Sequence, residues 1–296
     1  MYNQIASNKR KSFLLVALFI GFLLVLGWLG GSYTEAGGYG GLVLALTLSG
    51  GMTIFSFYGG DKVALWSSGA KPLEKKDNPY VYRLVENLCL AGGLPMPKIY
   101  IISDPAPNAF ATGRDPKHAS IALTTGIIEQ LKNEELEGVL AHELSHIKNY
   151  DIRLMTLVIV LAGTVLLFRD LIWRSMGFGR SRQNRKGGGN VVLLVAGLAL
   201  TVLAPVVAEL IKLAISRRRE FLADASGALL TRYPEGLASA LEKISAYQQP
   251  MLRANEATAH LFIASPFGAR VGHGLTHLFS THPPIEARIK ALRGMS

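Results

Sequence analysis

Cysteine and charged residues are both scarce in this sequence of 296 residues. The single cysteine, Cys89, cannot form an internal disulfide, which argues against a disulfide-stabilised secreted domain and favours a reducing compartment. Charged residues make up only 18% of the chain, whereas soluble domains contain about a quarter. Hydrophobic residues make up 49%, and the mean hydropathy is +0.28. These values disfavour a disordered chain and an ordinary soluble domain, and they predict membrane segments combined with about one soluble domain.

Acidic residues are fewer than basic ones, at 21 against 31, which gives a formal charge of +10. The basic residues cluster at the ends of apolar runs and do not alternate with aromatic residues on a soluble face. We therefore expect the positive charge to contact a lipid bilayer, and we expect no nucleic-acid partner.

Two uncharged runs near the N-terminus, residues 13–33 and 36–60, are each long enough to cross the roughly 30 Å hydrocarbon core of a bilayer. Only a tight turn containing Glu35 separates them, so they predict a transmembrane hairpin. Basic residues flank its outer ends, at 9–11 and from Lys62 onward. The positive-inside tendency then places both ends in the cytoplasm.

Two further apolar runs lie between residues 154 and 215. The loop between them carries five basic residues and no acid, and such a loop normally stays cytoplasmic. Complete crossing and partial entry into the bilayer therefore both remain open, and in either case the flanking segments share one side of the membrane. The expected organisation is an N-terminal transmembrane hairpin (1–60), a first catalytic part (61–153), a second hydrophobic hairpin (154–215) and a second catalytic part (216–296).

The soluble segments predict an α+β fold that is mostly helical. Residues 97–103 alternate and are rich in β-branched side chains, and 108–112 and 120–124 are two shorter strand candidates. One helix is expected to begin near Thr125. A second is expected to follow Asn133 as its N-cap, with acids in its first turn.

The sequence His142-Glu143-Leu144-Ser145-His146 lies within that second helix. Residues four apart share one helix face, so both imidazoles can bind one metal ion. Glu143 lies beside the metal position, where a carboxylate can take a proton from an activated water. If helix continues from His146 to Leu154, the ion lies close to the apolar segments.

A catalytic zinc site needs a third protein ligand and an open position for water. After the last apolar run, Glu220 and Asp224 lie one helical turn apart, so Glu220 fits as a ligand and Asp224 as an acceptor that orients a histidine. The spacing alone leaves open a simpler interpretation, in which both acids pair with the neighbouring arginines.

The order of HELSH (142–146), RREFLAD (218–224) and STHPP (280–284), together with two hydrophobic pairs, resembles the HtpX-type membrane zinc metalloproteases, which are related to the CAAX prenyl protease. The resemblance covers essentially the whole chain. It implies a multi-pass α-helical membrane protein with a zincin-like catalytic domain, in which an HExxH helix accompanies a small β-sheet.

The resemblance also implies roles for particular residues. His142, His146 and Glu220 resemble the ligands of one Zn²⁺ per chain, Glu143 the catalytic glutamate and Asp224 the acid that follows the third ligand. The sequence Asn108-Ala109-Phe110-Ala111 resembles an edge strand that binds the substrate backbone. His282 resembles a histidine that could stabilise the oxyanion, although it could equally flank a helix opened by the two prolines after it.

The function implied by the resemblance is a zinc endopeptidase of the bacterial inner membrane, with its catalytic domain in the cytoplasm. The expected substrates are misfolded or damaged membrane proteins and unfolded polypeptides. Two alternatives stay open at this point, a prenyl-protein protease of the CAAX type and a non-catalytic membrane scaffold in which zinc joins two helices. The sequence leaves the oligomeric state open.

Overall fold

Helices dominate the computed structural model, which describes residues 2–32, 37–160, 217–255, 257–268 and 283–295. The helices are α1 (Tyr2–Ser32), α2 (Gly37–Ser67), α3 (Pro79–Gly92), α4 (Thr125–Gln130), α5 (Asn133–Lys148), α6 (151–160), α7 (Arg217–Thr231), α8 (Pro234–Ala246) and α9 (Ile285–Arg293). The strands are β1 (Lys71–Pro72), β2 (Lys98–Ile102), β3 (Ala109–Gly113) and β4 (Ala119–Thr124). The prediction of a mostly helical α+β fold is confirmed for these residues.

The four strands form one mixed sheet in the order β1-β2-β4-β3. Strand β4 is parallel to β2 and antiparallel to β3, and β1 is antiparallel to β2. The three longer strands agree with the sequence prediction to within about two residues at each end. Strand β3 lies at one end of the order and is therefore an edge strand.

Helices α1 and α2 form an antiparallel hairpin in which glycines allow close contact. A Cβ atom at Gly31 would lie 2.9 Å from the Cα atom of Gly41, so side chains there would force the helices apart. Among the described residues, α2 is the helix that is both long and apolar enough to cross a membrane. A complete crossing by α1 remains a prediction, and the second hairpin expected at 154–215 lies outside the described residues from 161 onward.

Helix α5 is the central element of the soluble part and packs against α3, α7, α8 and β3. Its apolar side chains are fully buried, and two close approaches need glycine. A Cβ atom at Gly138 would lie 2.7 Å from the backbone nitrogen of Leu237 in α8. A Cβ atom at Gly227 in α7 would lie 3.0 Å from the backbone nitrogen of His142. The second approach brings the helix that carries Glu220 against the HExxH helix.

Both ends of α5 differ from the sequence prediction. The N-cap residue is Lys132, whose backbone N–H donates to the Glu135 carboxylate at 2.7 Å, whereas Asn133 accepts a hydrogen bond from the Tyr80 hydroxyl. Helix also does not continue unbroken from His146 to Leu154, which was the condition for the expected closeness of the ion to the apolar segments. Helix α5 ends at Lys148, Tyr150 has a φ of 61°, and α6 begins at the next residue.

Helix α6 connects the soluble part with the N-terminal hairpin. Its residues Leu154, Leu157 and Val158 pack with Leu15 and Phe19 of α1 in one buried apolar cluster. The helix that follows the HExxH helix therefore lies against α1 in the described structure.

Candidate metal centre

Three side chains from two helices converge in a buried site. The ligand atoms of His142, His146 and Glu220 lie within 4.8 Å of one another, and each side chain is at most 5% exposed. The Nε2 atoms of the two histidines are 3.1 Å apart, and the Glu220 oxygens lie 3.8 Å from His142 and 3.6 Å from His146. The grouping predicted from the sequence is thus the one that the fold brings together.

A carboxylate contacts the other ring nitrogen of each histidine. Asp224 Oδ1 lies 2.9 Å from His142 Nδ1, and Asp151 Oδ2 lies 3.0 Å from His146 Nδ1. These acceptors favour protons on both Nδ1 atoms, which leaves lone pairs on the two Nε2 atoms that face each other. Two lone pairs at this distance need a shared cation, and two imidazoles with one carboxylate form a donor set used by catalytic zinc sites. The residues therefore fit a metal ion.

Burial and neighbouring charges act differently on the two histidines. Burial lowers the pKa of His142 despite the opposing effect of Asp224. Burial also acts to lower the pKa of His146, but the hydrogen bond to Asp151 and the charge of Glu220 outweigh it and raise that pKa to about 9.

Arg288 of α9 completes the buried charge network and was not predicted. Its guanidinium is fully buried and donates two hydrogen bonds to Asp224, at 2.9 Å and 2.7 Å. It also lies 3.7 Å from Glu220. A bidentate arginine is the partner that a buried carboxylate requires, and it fixes the orientation of the acid that contacts His142. The pairing of these acids with the arginines beside them in sequence is therefore wrong for Asp224, whose arginine partner comes from another helix.

Asn8 of α1 reaches the same network from the N-terminal hairpin. Its amide is 1% exposed and donates to the Asp151 carboxylate at 2.7 Å and to the Asn149 carbonyl at 2.9 Å. Its oxygen accepts a hydrogen bond from Arg219 at 3.3 Å, and Arg219 lies 3.7 Å from Asp151. Helix α1 thus helps to hold the acid that orients His146.

Glu143 lies on α5 between the two histidines in sequence and is 2% exposed. Burial raises the pKa of Glu143 to about 7, with a further contribution in the same direction from Glu220, and the backbone of Ala111 in β3 acts to lower the pKa of this carboxyl group. A carboxyl group with such a pKa can exchange a proton at neutral pH, which suits a general base.

The predicted substrate strand is present as β3, and its outward edge is occupied. The Asn108 carbonyl accepts a hydrogen bond from Thr124 of β4, so the backbone groups of Ala109 and Ala111 point away from the sheet. The Ala109 carbonyl accepts from the Ile263 N–H at 3.0 Å, and the Asn108 amide donates to the Ala264 carbonyl at 3.0 Å. Phe110 is fully buried and packs edge-on against Phe262. Residues 262–264 therefore lie where a substrate strand was expected.

His282, the predicted oxyanion residue, lies outside the described residues. Sequence reasoning missed Asp151, Arg288 and Asn8. A signal existed for Asp151, because an acid just beyond the end of a helix with two metal-binding histidines can fold back to the second one. The other two residues come from distant elements, and no local spacing connects them with the metal helix.

Taken together, an HExxH helix, a carboxylate ligand from a second helix and oriented imidazoles define a metal-dependent hydrolase site. The family model described as peptidase family M48 matches residues 75–296. The chain belongs to this family and is a metallopeptidase.

Individual relatives agree with this assignment. The Protease HtpX homolog of Caldanaerobacter subterraneus subsp. tengcongensis is 46% identical over 302 aligned positions, covering 100% of this chain and 98% of that protein. The Protease HtpX homolog of Tropheryma whipplei strain Twist is 45% identical over 300 positions, with 100% and 98% covered. The resemblance to HtpX-type proteases is thus confirmed. The crystal structure of S. mikatae Ste24p is also similar, at 20% identity and a TM-score of 0.49, covering 99% of this chain and 67% of that one.

Proposed function

We propose that the chain is a zinc endopeptidase that cleaves misfolded or damaged membrane proteins at the cytoplasmic face of the bacterial inner membrane. The observation that carries the proposal is the convergence of His142, His146 and Glu220, with Glu143 buried beside them. His142, His146 and Glu220 would hold one Zn²⁺. When bound, the ion would supply a Lewis acid for the scissile carbonyl and for the attacking water.

The chain's own residues would move the proton and hold the substrate. Glu143 takes a proton from the attacking water and later delivers it to the nitrogen of the leaving amine. The effect of the Ala111 backbone on Glu143 and the packing of α5 against β3 support a proton transfer next to the strand edge. Asp224 and Asp151 keep the two imidazoles in one tautomer through the cycle. The role of His282 as an oxyanion donor remains part of the proposal.

Substrate would bind by strand addition along the outward edge of β3. The segment 262–264 occupies part of that edge through Ile263 and Ala264, so binding requires this segment to move or to be displaced. An extended and unfolded polypeptide can compete for these backbone groups, whereas a folded protein cannot. This requirement favours damaged or unfolded substrates.

The exposed apolar surface of the N-terminal hairpin supports the membrane assignment. Large apolar side chains on α1 and α2 are more than half exposed, among them Phe13, Leu18, Val43, Leu44 and Ile54. A patch of this extent on a soluble protein would aggregate, whereas in a bilayer it faces lipid. We infer a multi-pass chain with its catalytic part on the cytoplasmic side, consistent with the basic residues that flank the hairpin.

The first prediction concerns the general base. Glu143→Gln should leave about one zinc ion per chain, because the ligands are unchanged, and should lower kcat about 10²- to 10⁴-fold, because the amide cannot accept the proton. Metal content is measured by atomic spectroscopy, and cleavage is measured on an unfolded membrane-protein substrate in detergent or nanodiscs.

The matched control is Glu134→Gln, since Glu134 is an exposed acid on the same helix. It should retain wild-type activity. Full activity in the Glu143→Gln variant would refute the assigned base. Cleavage of a prenylated C-terminal peptide in preference to the unfolded protein would support the prenyl-protease alternative and overturn the proposed substrate class.

A further inference from the structure

A basic cavity lies where the N-terminal hairpin meets the soluble part, and its lining residues do not include the side chains of the metal centre. Its volume is about 500 Å³, and its walls come from α1, α2, the segment after β3 and the start of α6. Four cations line it, namely Lys9, Arg114, Lys117 and Arg153, and Asp115 is the single carboxylate among the lining residues. Such a surplus of positive charge around one cavity attracts an anion.

Among the lining residues, the one acid pairs with a single one of these four cations, Arg114. Asp115 already contacts Arg114 at 3.6 Å and His118 at 2.8 Å. Arg153 makes no ion pair with any described residue, and its buried Nε atom has no hydrogen-bond partner among them. A buried N–H donor without an acceptor costs free energy, so an added acceptor in this cavity would be stabilising.

Aromatic rings hold the cations in place at this site. The Lys9 ammonium lies 4.7 Å from the centre of the Tyr150 ring, and the Arg153 guanidinium lies 4.8 Å from the Phe57 ring. Fixed cations lose less conformational entropy when they bind an anion than free surface lysines do.

The cavity also lies at the boundary between polar and apolar surface. On α1, Lys9 is followed one turn later by Phe13, which is 76% exposed. On α2, Phe57 is preceded by Ile54 and Phe55, which are 63% and 57% exposed. Because the two helices are antiparallel, both apolar surfaces extend from the cavity in the same direction.

From this arrangement we propose that the cavity binds the phosphodiester headgroup of an anionic phospholipid, with the acyl chains lying along the exposed faces of α1 and α2. The headgroup phosphate accepts hydrogen bonds from Arg153 and Lys117, and the tails cover apolar surface. A free phosphate shares the headgroup chemistry but leaves that apolar surface uncovered. The proposal rests on insertion of the hairpin into a bilayer and is independent of peptidase activity.

The test is a lipid titration of the purified full-length chain in an uncharged detergent, followed by native mass spectrometry at constant ionic strength. Phosphatidylglycerol should bind at least 10-fold more tightly than phosphatidylcholine of the same chain length. The double substitution Lys117→Gln and Arg153→Gln should weaken phosphatidylglycerol binding about 10-fold. The matched control substitutes Lys71→Gln and Lys98→Gln, two exposed lysines on the sheet, and should stay within about twofold of wild type.

Three results would overturn the proposal. An equal loss of phosphatidylglycerol affinity in the control pair would mean that net charge alone attracts the lipid. Equal affinity for phosphatidylcholine would mean that the cavity does not recognise the headgroup charge. Complete displacement of the lipid by inorganic phosphate would assign the cavity to a free anion. If the first double variant does not fold, Lys9→Gln with Lys117→Gln, both exposed lysines, provides the same comparison.

Discussion

Each imidazole of the proposed metal site contacts a different carboxylate, and the two carboxylates are held in different ways. Asp224 is fixed by the buried guanidinium of Arg288, within the soluble part. Asp151 is fixed by Asn8 and lies near Arg219, so its support comes partly from the N-terminal hairpin. The two ligands are therefore oriented independently of each other, and either support can be removed alone.

The second prediction concerns the carboxylate that orients His146. Asp151→Asn should weaken zinc binding about 10- to 100-fold, because the amide is a poorer acceptor for the His146 Nδ1 proton and no longer adds negative charge. Zinc affinity is measured by competition with a chromogenic chelator. Asp77→Asn, at an exposed acid outside the buried charge network, serves as the control and should bind zinc like wild type. Unchanged affinity in the Asp151→Asn variant would mean that this contact does not support the ligand.

The sequence was informative about residues whose relation is local. Helical spacing of four brings His142 and His146 together, and the same spacing relates Glu220 to Asp224. The position of Asp151 just beyond α5 was a signal for its contact with His146, but helical periodicity could not predict that contact, because it depends on the interruption at Tyr150, where a non-glycine residue adopts a left-handed conformation. Helical periodicity alone cannot predict where such an interruption occurs.

At the scale of elements, α1 does more than a membrane anchor would. Asn8 is buried against the loop that follows α5, and Leu15 packs with Leu154 of α6. The hydrophobic pattern predicted the existence of this helix but could not predict its partner, because apolar side chains that face lipid and those that face another helix look alike in sequence. The edge position of β3 was predicted, whereas its coverage by 262–264 was not.

The third prediction tests the contact between α1 and the metal site. Asn8→Ala leaves the Asp151 carboxylate and the Asn149 carbonyl without this buried donor, which should lower the free energy of unfolding by about 1–3 kcal/mol. It should also weaken zinc binding, because Asp151 loses a partner that holds it towards His146. Thermal unfolding in detergent and chelator competition measure the two effects.

The control for this variant is Arg10→Ala, since Arg10 is an exposed neighbour on the same helix. It should change neither the unfolding temperature nor zinc affinity. Equal behaviour of the two variants would contradict the coupling between α1 and the metal site.

At the scale of the whole molecule, the division into an N-terminal transmembrane hairpin at 1–60 and a catalytic part that begins at residue 61 stays a prediction, and the contacts bear on how the two parts fold. Helix α5, which carries the HExxH sequence, is followed by α6, and α6 shares a buried apolar cluster with α1. Removing α1 would expose this cluster and also take away the donor of Asp151. The hairpin and the catalytic part should therefore fold as one cooperative unit.

The fourth prediction tests whether the hairpin and the catalytic part fold as one cooperative unit. A chain of residues 61–296 should fail to bind zinc with wild-type affinity and should aggregate, because loss of the hairpin exposes Leu154, Leu157 and Val158 to water and frees Asp151. Zinc content and size-exclusion profile would be compared with the full-length chain in the same detergent. Co-expression of residues 1–60 as a separate peptide should restore part of the zinc binding, since the helix contacts do not require a covalent link. A monodisperse fragment that binds zinc fully on its own would show that the hairpin is only an anchor.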